Sequence, residues 1–177
     1  MTTVFHSDEA TASFREHAEA SSTLHFDALP PEAVAVTTND VVIAARNIAR
    51  RAGPLRVDTA YDAAQRRLSL LINGSLRAVA FLLEARSERG EPLIAMRNEV
   101  STTARVDGID RPFANSIATH LVVAAQNHPQ HDVPLKFATP YDEQQSRLEL
   151  SVTGSAFATT YLLGIIAVRL EQRLQRA

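Results

Sequence analysis

Cysteine and tryptophan are absent from the 177 residues. Without a single thiol, a disulfide framework, a thiolate zinc site, an iron–sulfur cluster and a cysteine nucleophile are all excluded. Lysine is reduced to one residue, Lys136, among 18 basic side chains, so the other 17 are arginine; this skew reads as a high-GC coding bias rather than as a phosphate-binding device. Aromatic residues make up only 6% of the chain, and the formal charge is −2 with an isoelectric point near 6.3. A protein that grips nucleic acid through phosphates normally carries a basic surface with stacking aromatics, so no nucleic-acid partner is expected. With 6 glycines and 8 prolines the chain is not fibrous, and with 45% apolar residues it is not disordered either.

No long apolar run suggests a membrane segment. Residues 1–22 include Asp8, Glu9, Arg15, Glu16 and Glu19 and lack a secretory core, which favours the cytoplasm. Residues Leu150 to Val168 are uncharged, but Ser151, Thr153, Gly154, Ser155, Thr159, Thr160 and Gly164 interrupt them, as in a buried strand end followed by a core helix.

What is present in strength is self-similarity: the chain matches itself when it is shifted so that Pro54 falls on Pro134. Residues 54–83 align with 134–163 without a gap, and 14 of the 30 positions are identical. The best-matched stretch is Tyr-Asp-x-x-Gln-x-Arg-Leu-x-Leu, at Tyr61 to Leu70 and again at Tyr141 to Leu150. Upstream, Val42, Ala44, Ala45 and Asn47 fall on Val122, Ala124, Ala125 and Asn127, and Thr23 and Asp27 fall on Thr103 and Asp107.

Periodicity then reads each copy. Thr23 to Asp27 and Thr103 to Asp107 alternate as short strands do, and the runs Val41 to Ala45 and Leu121 to Ala125 follow as helices, closed by Gly53 and Pro129. Two strands come next: Leu55, Val57, Thr59 and Tyr61 share one face of the first, and Leu68, Leu70 and Ile72 share one face of the second. Ser75 and Ser155 are well placed to cap a second helix. The expected class is α+β: a duplicated strand-helix-strand-strand-helix unit with pseudo-twofold symmetry, its antiparallel sheet packed against helices. Residues 1–22 are read as a polar extension, 23–90 as the first repeat, 91–102 as a connecting strand and 103–177 as the second repeat. A two-stranded hairpin is marginal alone, so the repeats are expected to share one interior.

Functional signals are sparse. Tyr61, Arg67, Tyr141 and Arg147 are the ligand-binding candidates, because two arginines and two tyrosines related by a dyad suit a flat anionic or aromatic molecule. The same residues also suit a purely architectural hairpin, in which Arg67 and Arg147 pair with Asp62 and Asp142. Gly74-Ser75 and Gly154-Ser155 lack the surrounding glycines and lysine of a phosphate loop, and read as helix caps. His128 and His131, near His120 and Asp132, are the metal candidates, but they flank Pro129 and have no matching histidines in the first copy, so no metal is expected. No cofactor motif and no catalytic constellation emerges. The expected function is a non-enzymatic binding or regulatory module with a groove between the repeats for a small molecule or a protein. The alternatives are a small enzyme with its site between the repeats and an adaptor using the apolar C-terminal helix, a surface through which the chain would also form a homodimer.

Overall fold

A computed structural model describes residues 1–5, 18–127 and 133–175. Eight strands and four helices follow one another as β1 (Thr2–Phe5), β2 (Ala18–Phe26), α1 (Pro31–Ala52), β3 (Leu55–Asp62), β4 (Arg67–Ser75), α2 (Leu76–Leu83), β5 (Glu99–Val106), α3 (Arg111–Asn127), β6 (Lys136–Ala138), β7 (Tyr141–Asp142), β8 (Arg147–Ser155) and α4 (Ala156–Leu174). The strands form one antiparallel sheet in the order β1-β3-β4-β2-β5-β8-β6, with β7 also on β8. The protein is therefore α+β.

Alternation decides which face of the sheet is covered. Leu24 of β2, Leu68, Leu70 and Ile72 of β4, Val100, Ala104 and Val106 of β5, and Leu148, Leu150 and Val152 of β8 are all buried. They join residues of the four helices in a single core cluster. The helices therefore lie on one face, each burying an apolar stripe at helical spacing: Val41, Ala45 and Ala49 on α1, and Ala114, Ile117, Leu121 and Ala124 on α3. Helix α1 begins well before its apolar run, with Pro31 and Glu32 in its first turn, and stops at Gly53, whose φ of 108° carries the chain out of the helix. Ser75 and Ser155 cap α2 and α4 by accepting hydrogen bonds from the amides of Ala78 and Ala158.

Outward from the β2–β5 pair, the sheet reads the same way on both sides: β4 then β3 on one, β8 then β6 on the other. In that central pair Ser22 stands opposite Thr102, its own counterpart in the self-alignment. Both side chains are buried, and their hydroxyls lie 2.7 Å apart.

Three stretches differ from the periodic reading. Residues 18–22, read as polar extension, are the first half of β2, because Ala20 and Ser22 continue its inward face and the two central hydroxyls satisfy each other. Thr2–Phe5 forms an edge strand on β3. The stretch between the repeats is not a strand of its own: apart from a bridge between Arg86 and Pro92 it is turn and bend until β5 starts at Glu99. In addition β3 runs unbroken from Leu55 to Asp62, whereas its counterpart is divided into β6 and β7. Pro140 stands where the first copy has Ala60, and a proline has no amide to give the ladder.

Candidate functional site

The duplicated hairpin residues are engaged within the fold. The Tyr61 hydroxyl donates to the Leu29 carbonyl (2.9 Å) and the Tyr141 hydroxyl to the Ile109 carbonyl (2.8 Å). Arg67 donates to Asp27 at 2.6 Å and Arg147 to Asp107 at 2.5 Å. The guanidinium partners are thus Asp27 and Asp107, not the Asp62 and Asp142 suggested by the sequence. Those two carboxylates accept turn amides instead: Ala64 and Gln65 donate to Asp62 at 2.9 and 3.1 Å, and Gln144 and Gln145 donate to Asp142 at 2.8 and 3.1 Å. The Asp107 hydrogen bond raises the Arg147 pKa, opposed by desolvation and helped by the Asp107 charge. Each tyrosine–arginine set pins the loop ahead of a long helix to the hairpin that follows it. The structure does not bring the two sets together around a shared space.

Of the histidine cluster, His128 and His131, with Asp132, lie outside the described residues. His120 is exposed on α3, with its ring against the Ser116 carbonyl and the Arg169 guanidinium. Among the described residues no three His, Asp or Glu side chains converge as metal ligands.

A cavity of about 490 Å³ opens on the other side of the molecule, on the sheet face away from the helices. Its lining follows from register. Because neighbours in a ladder share a face, one row runs Lys136, Thr153, Ser101, Thr23 across β6, β8, β5 and β2, and a second runs Ala138, Ser151, Thr103, Ser21. Six hydroxyls thus stand in two lines of three, with one ammonium at the end of the first. Strands are spaced ~4.8 Å apart and same-face residues about 7 Å apart, so the array spans roughly 14 Å by 7 Å. Ser101 and Thr153 lie 3.2 Å apart, Oγ to Oγ1. Lys136 is the cavity's one titratable group, and no carboxylate among the described residues pairs with it. Periodicity marks these residues as merely wet; only the pairing register, unreadable from sequence, aligns them.

Continuing each row past β2 changes its character. The first row meets Leu71 and then Asp58, and the second meets Asn73 and then Arg56, whose guanidinium pairs with Asp58 at 3.0 Å. On the helix side, Phe81 of α2 and Phe157, Tyr161 and Val168 of α4 are exposed, with Arg77 over the Phe81 ring and 2.9 Å from Glu171. No helix among the described residues is long and apolar enough to cross a membrane. Neither the scan against protein-family models nor the search of curated proteins finds a match.

Proposed function

We propose that the chain is a non-enzymatic binding module, formed by fusion of two copies of one unit about a pseudo-twofold axis through the β2–β5 pair, and that it holds a small polar molecule on the open face of its sheet. The duplication is supported by the gapless self-alignment, by the pairing of Ser22 with Thr102, and by bonds that recur with the same offset, such as Tyr61 to Leu29 and Tyr141 to Ile109. The observation that carries the binding reading is the hydroxyl-lined cavity, to which β2 contributes from one copy and β5, β6 and β8 from the other. Its volume lies within the ordinary range for small-molecule sites, although it is a shallow depression largely open to solvent rather than an enclosed cleft. The tyrosines and arginines of the hairpins take the architectural role, because their polar ends are bonded to Leu29, Ile109, Asp27 and Asp107.

Titration of ¹⁵N-labelled protein with a panel of polar metabolites tests the reading. A binder should shift the amides of Ser101, Thr103 and Thr153, and Ser101→Val/Thr153→Val should abolish the shifts. Binders that perturb only other amides, or the absence of any binder in a broad panel, would remove the site.

The exposed Phe157, Tyr161 and Val168 favour a second reading, in which α4 docks a protein or a second copy of the chain. Light scattering after size exclusion distinguishes the two: a monomer that stays monomeric at high concentration counts against a dimer through α4, and a dimer dispersed by Tyr161→Glu supports it.

A further inference from the structure

We infer that the ligand of the sheet cavity is a small hydroxylated anion, a sugar acid or sugar phosphate in chemical class, with its anionic group at Lys136 and its hydroxyls over the serine and threonine rows. The inference rests on the binding reading above. It comes from comparing what the two copies place at matching points of the same face. In the self-alignment Lys136 falls on Arg56 and Ala138 on Asp58. In the first copy the cation is neutralised, since Asp58 accepts from Arg56 at 3.0 Å. In the second copy the carboxylate is replaced by a methyl group, and with no carboxylate among the described residues paired to it the ammonium is open to a partner from outside. Likewise Leu71 interrupts the hydroxyl row in the first copy where Ser151 continues it in the second. Ligand-accepting chemistry is therefore confined to the second copy and the central strands, which is where the cavity lies.

Each kind of group then specifies its complement. A hydroxyl both donates and accepts, so a field of six is matched best by other hydroxyls, whereas an ammonium offers three donors and no acceptor and calls for an anion. Tyr61 and Tyr141 are not in the lining, and Phe137, which is, packs its ring against the core on the helix side of the sheet, so none of the three offers a base or other flat aromatic molecule a ring to stack on. The chemistry at Lys136 is shared by carboxylate and phosphate, and the probes separate them.

The experiment titrates glucose 6-phosphate, gluconate and glucose into ¹⁵N-labelled protein at low salt, following the amides of Ser101, Thr103 and Thr153. At least one of the two anions is expected to bind three- to tenfold more tightly than glucose, a gain typical of one solvent-exposed charged contact. Which anion it is decides between phosphate and carboxylate. Lys136→Gln should erase the preference, and Ala138→Asp, which restores the first copy's arrangement, should erase it as well. Both sites are exposed, and circular dichroism confirms that each variant is folded. Glucose binding as well as both anions, or a preference that survives Lys136→Gln, overturns the anion assignment and leaves the cavity as a site. If none of the three probes moves these amides, the class is overturned too, and the metabolite panel decides whether the cavity binds anything.

Discussion

Gly74 and Gly154 occupy the same point in two strands, yet a side chain would meet different neighbours at each. A Cβ on Gly74 would lie 2.3 Å from the Pro54 carbonyl oxygen and 3.0 Å from the Leu55 Cα, both backbone atoms that cannot give way; on Gly154 the nearest atom is Leu135 Cδ1 at 2.8 Å, the mobile tip of a side chain. Gly74→Ala should therefore cost about 2–3 kcal/mol in urea unfolding and Gly154→Ala about 1 kcal/mol or less; equal losses would contradict the packing described. Thr159 points the other way. It is fully buried on α4, its hydroxyl has no partner among the described residues, and the aligned position of the first half holds Val79. An unsatisfied buried hydroxyl costs ~1–3 kcal/mol, so Thr159→Val should raise stability by about 1 kcal/mol, measured by the same unfolding curve.

Among the elements, the joint between β2 and β5 carries a polar contact inside an apolar layer. Ser22→Ala strands the Thr102 hydroxyl and should cost about 1–3 kcal/mol, whereas Ser22→Ala/Thr102→Val should recover most of that loss. A double variant no better than the single one would show that the hydroxyls do not depend on each other. Strand β1 is held differently. The hydrogen bond from the Thr2 side chain, helped by Arg56 and opposed by partial desolvation, lowers the Asp58 pKa. A carboxyl lowered on folding adds stability above its unfolded pKa and loses it as pH falls through the folded value. Hydrogen exchange at the β1 amides should therefore accelerate relative to the core as the solution enters and passes below the acid carboxylate range, and Asp58→Asn should flatten that response. These elements also show what the sequence makes legible. The helix caps at Ser75 and Ser155, the turn carboxylates Asp62 and Asp142, and the inward faces of β4 and β8 follow from local rules of capping, turn chemistry and alternation. The partners of Arg67 and Arg147 do not, because Asp27 and Asp107 are remote in sequence and only tertiary packing brings them in. Nor does the cavity, whose hydroxyls are ordinary surface residues until strand order sets them in rows.

For the whole molecule, one sheet and one core run through both halves of the chain among the described residues. Thermal unfolding should accordingly be a single transition with equal calorimetric and van't Hoff enthalpies. Two resolved transitions would mean that the halves are separate bodies. The position of β2 also has a consequence for the nascent chain. Its β4 side can be paired once Ser75 has emerged from the ribosome, but its other edge has no partner until β5 is complete at Val106. At translation rates of about 5–20 residues per second that interval lasts roughly 2–6 s. During it the first half presents β2 with an open edge, to which another unfinished chain or a chaperone has access before the protein's own second half does.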